Sequence, residues 1–110
     1  MAQPTISDFL DMALLVGTVV RCEVNTGARD PALCLWIDFG SGGTKQSSAK
    51  ITDHYDPQSL VGRQVVAVTG FEPIRVGGFR SEVLVVGALT DDGVVLLAPD
   101  RPVAPGSSVA

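Results

Sequence analysis

Residues 14–24 have the sequence Leu-Leu-Val-Gly-Thr-Val-Val-Arg-Cys-Glu-Val, in which the side chains divide into two sets with a period of two. Such a run predicts one long β-strand, because successive side chains of a strand point to opposite faces. In strict alternation, Val19, Arg21 and Glu23 share one face of this strand. Gly17 favours a bend or a bulge, of the kind that carries a strand around the corner of a small barrel.

The alternation returns after a loop at residues 25–31, which contains Gly, Asn, Asp and Pro. In the strand predicted at residues 32–39, Leu33, Leu35, Ile37 and Phe39 form the set that we expect to face a core. The later predicted segments are a glycine-rich turn (40–43), a polar strand (44–50), a short helical or irregular piece (51–60), a strand (64–69), a loop (71–80) and two strands (81–88 and 94–97).

Three strands, a short helix and at least two further strands in about 90 residues predict an all-β protein, a five-stranded OB-fold Greek-key barrel. A β-sandwich fits less well, because it needs about seven strands. Capping residues ahead of Phe9 predict a short N-terminal helix. The predicted organisation is one domain with an N-terminal helical extension (1–13), an OB barrel (14–98) and an extended C-terminal tail (99–110).

The composition agrees with a single folded domain. The chain has 110 residues, of which 45% are hydrophobic and 18% are charged, and this excludes a largely disordered protein. A domain of this size buries only about 60 to 70% of the surface that its unfolded chain exposes. We therefore expect a second subunit to cover part of the apolar surface.

The net charge of −4 excludes binding to nucleic acid through bulk electrostatics, so any such binding must use a local patch. Cys22 and Cys34 lack the spacing of zinc ligands, and we expect them to be thiols in a reducing compartment. The N-terminus has no basic stretch followed by a long apolar run, so we expect a cytoplasmic protein without membrane insertion.

Several short motifs follow one another at regular intervals along the chain. They are Val16-Gly17-Thr18-Val19, Ile37-Asp38-Phe39-Gly40, Lys45-Gln46-Ser47-Ser48-Ala49, Pro73 to Arg75 with Gly78-Phe79, Ser81-Glu82-Val83-Leu84, and Val95-Leu96-Leu97 with Pro99. Together, across residues 9–109, they resemble the family of free-standing tRNA-binding OB domains, and within it the bacterial CsaA type, described as a secretion-related chaperone.

The resemblance implies a homodimer that binds structured RNA of the tRNA class through backbone and shape more than through sequence. It also implies a chaperone activity, with unfolded or preprotein chains and the export machinery as further partners. A peptide-binding export chaperone, or a dimeric protein adaptor with little affinity for RNA, is the alternative. We expect neither an enzyme nor a cofactor, because the sequence has no catalytic triad, phosphate-binding glycine loop or zinc motif.

The predicted RNA-binding residues are polar or charged groups able to contact a sugar-phosphate backbone. They are Lys45, Gln46, Ser47, Ser48, Arg75, Arg80, Ser81 and Glu82. By composition alone, the first four also suit a solvated edge strand. Arg75 and Arg80 flank two glycines, and we expect a mobile loop to bring them to phosphates. Ordinary solvated charges are the alternative, and a structural ion pair is the alternative for Glu82.

Apolar residues in the same loop predict a weaker peptide-binding site formed by Phe71, Ile74 and Phe79, with a plug at the end of the barrel as the alternative. We expect Trp36 to lie at a subunit interface, with base stacking as its alternative. His54 and Tyr55 lack a partner nucleophile and are expected on the surface or capping the barrel. Asp91 and Asp92 predict a turn, and no metal site is expected.

Overall fold

The computed structural model describes residues 3–110; residues 1 and 2, part of the predicted N-terminal extension, lie outside the described range. Within residues 3–110, two short helices and one 3-10 turn (Gly40–Gly42) interrupt a chain of β-strands. The helices are α1 (Ile6–Leu10) and α2 (Pro57–Leu60). The strands are β1 (Ala13–Val24), β2 (Leu33–Asp38), β3 (Thr44–Ala49), β4 (Gln64–Thr69), β5 (Ile74–Val76), β6 (Phe79–Ser81), β7 (Leu84–Val85), β8 (Gly87–Thr90) and β9 (Gly93–Leu96).

Five strands form one antiparallel sheet in the order β3-β2-β1-β4-β7. The sheet curls until its edge strand β3 meets the segment after β6, where the Glu82 N–H donates to the Gln46 carbonyl at 2.8 Å. The buried core lies inside this curl and includes Leu33, Leu35 and Ile37. The predicted OB-like barrel is therefore confirmed. Two separate hairpins, β5–β6 and β8–β9, lie outside the five-stranded sheet.

The irregularity in β1 lies at Val20, so the bulge predicted at Gly17 is wrong. The register against β2 shifts between Val19 and Arg21, which leaves Val19 buried and turns Arg21 outward. Gly17 instead makes room in the core, because a Cβ there would lie 2.8 Å from Cε1 of Phe39. Val19 and Arg21 therefore do not share a face as strict alternation predicts.

The predicted loop at residues 71–80 is partly ordered, since it contains the β5–β6 hairpin. The predicted strand at 81–88 is divided among β6, β7 and β8, because the N–H groups of Glu82 and Val83 turn aside to the Gln46 carbonyl. The predicted helical piece at 51–60 contains α2. Helix α2 begins at Pro57, and the carboxylate of the preceding residue, Asp56, accepts the Ser59 N–H at 2.9 Å as its N-terminal cap.

The C-terminal segment extends the sheet along the first half of β1, where β2 is not paired. The Val16 N–H donates to the Ser107 carbonyl at 2.8 Å, and the Val109 N–H donates to Leu14 at 2.9 Å. The Gln64 amide also bonds both backbone groups of Val103, at 2.7 and 3.0 Å. Within residues 3–110, none of the helices has the length and apolar character needed to cross a bilayer.

Candidate nucleic-acid interface

The outer face of the barrel, formed by β1, β2 and β3, carries Arg21, Glu23, Cys34, Trp36, Gln46 and Ser48. Alternation along β2 directs Leu33, Leu35 and Ile37 inward, so the residues between them face outward. The register places Trp36 between Arg21 on β1 and Gln46 on β3. Three strands therefore deliver one cation, one indole and one amide to neighbouring positions on a single face.

Trp36 is half-buried between two side chains of its own chain. The Arg21 guanidinium lies over the indole, with Cζ 4.5 Å from the ring centroid, and the Phe79 ring meets it edge-on at 5.4 Å. Glu23 accepts a hydrogen bond from Nε of Arg21 at 3.1 Å and so holds the guanidinium in place. The result is a guanidinium over the Trp36 ring, which Phe79 contacts edge-on, with the Arg21 side chain still 61% exposed.

Arg21 is the main residue of this face that the sequence prediction missed. Strict alternation assigned it to the same set as Val19, and only the register shift at Val20 separates the two. Trp36 was expected at a subunit interface, with base stacking as the alternative, and its contact with Arg21 follows only from the pairing of β1 with β2.

The β5–β6 hairpin, called here the arginine hairpin (residues 74–81), brings Arg75 and Arg80 together as directly opposed cross-strand partners. Both are exposed, and with Glu72 and Pro73 they line a cleft of about 200 Å³. Nη1 of Arg75 donates to the Gly78 carbonyl at 3.1 Å, which orients its guanidinium. Like charges directly opposite one another destabilise a sheet, so an anion between them would be favourable.

The remaining predicted RNA contacts separate into two groups. Lys45 is exposed at the mouth of the barrel, where it lines a different cavity with Leu15 and Phe39. Gln46 and Glu82 join β3 to the arginine hairpin: Nε2 of Gln46 donates to the Arg80 carbonyl at 2.7 Å, and Glu82 accepts the Gln46 N–H at 3.2 Å. These two side chains hold the hairpin against the sheet.

Ser47 and Ser81 are buried, at 0% and 3% exposure. Oγ of Ser81 accepts the Ser48 N–H at 3.1 Å and donates to the Val83 carbonyl, so it closes the barrel between β3 and β6. Ser47 faces the core because it alternates with Gln46 and Ser48. Neither hydroxyl can touch a ligand in this conformation, and we leave both out of the proposed contact surface. Ser48 remains half-buried on the outer face.

Replacement of Ser47 by alanine should stabilise the fold. Its buried hydroxyl has no hydrogen-bond partner among residues 3–110, and an unsatisfied buried donor costs free energy. We expect Ser47→Ala to raise the free energy of unfolding in urea by about 1 kcal/mol. The matched variant Ser48→Ala, which loses its bond to Asn25, should lower it. Destabilisation by Ser47→Ala would contradict this.

The residues of the predicted peptide site are only partly accessible. Phe71 and Ile74 are exposed, whereas Phe79 is engaged with Trp36. His54 is exposed, and the Tyr55 hydroxyl accepts the Leu96 N–H at 3.0 Å, which ties the 51–60 segment to β9. Asp91 and Asp92 lie in the turn between β8 and β9, as predicted.

Both cysteines are free and buried. Burial raises the pKa of the Cys22 thiol to about 11, with smaller contributions from Cys34, Asp56 and Glu23. Burial and then Glu23 raise the pKa of Cys34. Both groups are therefore protonated at neutral pH, and a protonated thiol is a poor nucleophile.

The curled barrel, with Arg21 over Trp36 on its outer face and the arginine hairpin beside it, defines an OB-like domain. The chain belongs to the tRNA-binding domain family: residues 14–108 match the family described as "Putative tRNA binding domain". This agrees with the family resemblance of the sequence motifs.

Two solved structures resemble the chain over nearly its whole length. The chaperone CsaA from Bacillus anthracis is 47% identical, with a TM-score of 0.93 over 99% of this chain and 100% of that one. The CsaA chaperone protein from Picrophilus torridus is 40% identical, with a TM-score of 0.92 over 98% and 100%. Methionine–tRNA ligase of Porphyromonas gingivalis is 40% identical over 93% of this chain, which spans only 15% of that enzyme.

Proposed function

We propose that this protein binds tRNA through its outer face and arginine hairpin, recognising backbone and shape more than sequence. The observation that carries the proposal is the Arg21 guanidinium over Trp36, whose ring also contacts Phe79 of the hairpin that bears Arg75 and Arg80. Membership of a tRNA-binding family and the absence of a recognised catalytic motif both favour a binding role over catalysis. A tRNA ligand also implies a cytoplasmic location.

Local charge explains how a chain with a net charge of −4 can bind a polyanion. Arg75 and Arg80 place two guanidiniums in one cleft, and planar guanidiniums bind phosphate oxygens in pairs. Glu72 shares the cleft and limits its attraction for free anions. A folded RNA, which presents several phosphates at once, gains more from such a patch than a single phosphate does.

The exposed side of the Arg21 guanidinium offers a stacking surface for an unpaired base. Bases of single-stranded loops stack on arginine planes as well as on aromatic rings. Here the plane is preformed, because Trp36 supports it from below and Glu23 fixes it laterally. Such a surface favours a structured RNA with looped-out bases and does not select a sequence.

The test is binding of tRNA by the purified protein at salt concentrations from about 50 to 200 mM. We expect the logarithm of the affinity to fall with a slope of about −2 to −3, as for roughly three engaged phosphates. A fully paired RNA duplex with the same number of nucleotides is the control and should bind more weakly, because it offers no unpaired base to the Arg21 guanidinium. Lack of tRNA binding at the lowest salt concentration would overturn the proposal.

We propose further that the protein is a homodimer joined through one apolar groove. The groove measures about 590 Å³ and is formed by both chain ends together with the sheet. Its apolar lining includes Phe9, Leu14, Val66, Val86, Leu97 and Val103. An apolar surface of this kind on a small domain favours association, and a second copy of the chain brings the same surface to the contact.

A chaperone activity is the second candidate, favoured by the likeness to two structures described as CsaA chaperones and by the exposed Phe71 and Ile74. In this role the protein would hold unfolded or preprotein chains for the export machinery. Suppression of the aggregation of an unfolding client distinguishes it. Competition between client and tRNA would place both on the arginine hairpin, and activity without competition would place the client elsewhere.

A further inference from the structure

The loop between β1 and β2 contains the only asparagine of the chain, Asn25, which is 8% exposed although its neighbour Thr26 is exposed. Nδ2 of Asn25 donates to the Val76 carbonyl at 2.9 Å and to Oγ of Ser48 at 3.1 Å. Oδ1 accepts the Gly27 N–H at 3.2 Å. One side chain thus bonds its own loop, strand β3 and the tip of the arginine hairpin.

The chemistry of these partners requires an amide. The Val76 carbonyl can only accept a hydrogen bond and the Gly27 N–H can only donate one, so the orientation of the Asn25 amide is determined. A carboxylate of the same shape keeps the bond from Gly27 but cannot donate to Val76. An alanine at this position makes none of the three bonds.

The arginine hairpin depends on such contacts because its own ladder has only three residue pairs and lies outside the five-stranded sheet. A two-stranded hairpin alone is marginally stable in water. At the strand ends, Gln46 and Ser81 hold it to β3. At the tip, Asn25 holds Val76, and the backbones of Gly27 and Gly77 pass so close that a Cβ on either would collide with the other.

We propose that Asn25 is the positioning residue of the RNA site: it holds the tip of the arginine hairpin against the loop at residues 25–27. This keeps Phe79 on Trp36 and fixes the direction of Arg75 and Arg80. The consequence for RNA rests on the proposed function, whereas the docking of the hairpin does not.

Trp36 is the only tryptophan, so its fluorescence reports directly on the docked hairpin. In Asn25→Ala and Asn25→Asp we expect the emission of Trp36 to shift to longer wavelength, because Phe79 leaves the ring and water enters. We expect tRNA affinity to fall about tenfold in both variants, the scale of one hydrogen bond, because both lose the bond to Val76 at the hairpin tip. The control Thr26→Ala, which removes an exposed side chain from the same loop, should change neither quantity.

A second variant reaches the same tip without touching Asn25. The Cβ of Gly77→Ala would collide with the Gly27 backbone, so this variant should give the same shift of Trp36 emission and the same loss of affinity. Circular dichroism of every variant must retain the spectrum of the unaltered barrel.

The outcomes separate the two proposals. Unchanged Trp36 emission in folded Asn25→Asp and Gly77→Ala overturns the role of Asn25. A shifted emission with unchanged tRNA affinity shows that Asn25 docks the hairpin but does not position an RNA contact, which also overturns it. No tRNA binding by the unaltered protein overturns the proposed function. In that case the Trp36 emission of the variants still tests whether Asn25 docks the hairpin.

Discussion

Simultaneous replacement of Arg75 and Arg80 by alanine should lower the affinity for tRNA on the order of a hundredfold, as expected for two lost charge-assisted hydrogen bonds. The two guanidiniums are opposed on one hairpin and line one cleft, so they act on the same stretch of phosphates. The measurement is the dissociation constant at several salt concentrations. The slope against salt should flatten by about 1.5, since each engaged phosphate of a single strand contributes about 0.7.

The matched control is a double variant with the same net charge, Arg63→Ala with Arg101→Ala. These arginines line a groove that neither the outer face nor the arginine hairpin shares. Their loss tests whether total charge alone governs binding, and we expect less than a threefold weakening at moderate salt because distant exposed charges are screened. Equal losses in the two double variants would contradict a local site.

The arginine hairpin had a local signal in the sequence. Gly77 and Gly78 separate Val76 from Phe79 by two residues, and two glycines at that spacing are typical of a tight hairpin turn with positive φ at both positions. Their φ angles of +59° and +80° agree with this. Treating residues 71–80 as one loop missed the turn, and with it the direct opposition of Arg75 and Arg80.

Other parts of the site could not be predicted locally. The motif at residues 45–48 appears in sequence as one polar segment, but the period of a strand sends Lys45 and Ser47 to one side and Gln46 and Ser48 to the other. Which side is the core depends on pairing with β2. In contrast, the alternation from Leu33 to Ile37 correctly predicted which side of this strand faces the core. In such a strand the apolar residues themselves mark the buried side.

The bulge at Val20 had no signal at all, since neither glycine nor proline marks it. The bulge lies just after Thr18, where β1 stops pairing with β4. Beyond this point, β1 pairs with β2 alone. Such a change of partner is a property of the closed sheet. The stacking of Arg21 on Trp36 follows from it and was therefore outside the reach of local patterns.

Leu97→Asp should separate the proposed dimer and, through that, weaken tRNA binding by on the order of a hundredfold at low protein concentration. Leu97 is 47% exposed in the single chain and lines the apolar groove. An aspartate carboxylate there stays hydrated in the monomer but is desolvated at a subunit contact, which disfavours the dimer. The mass in solution should halve. The affinity should fall because two linked sites on one RNA bind more tightly than one.

The control Val61→Asp changes an equally exposed apolar residue, 50% accessible, outside the groove, and should leave both mass and affinity unchanged. Leu97 lines the apolar groove and not the cleft of Arg75 and Arg80. The salt slope of each RNA site should therefore persist in the monomer, while the gain in affinity from two linked sites is lost. A monomer that binds tRNA as tightly as the unaltered protein would contradict the link between dimerisation and RNA binding. A Leu97→Asp protein of unchanged mass would contradict the groove as the subunit contact.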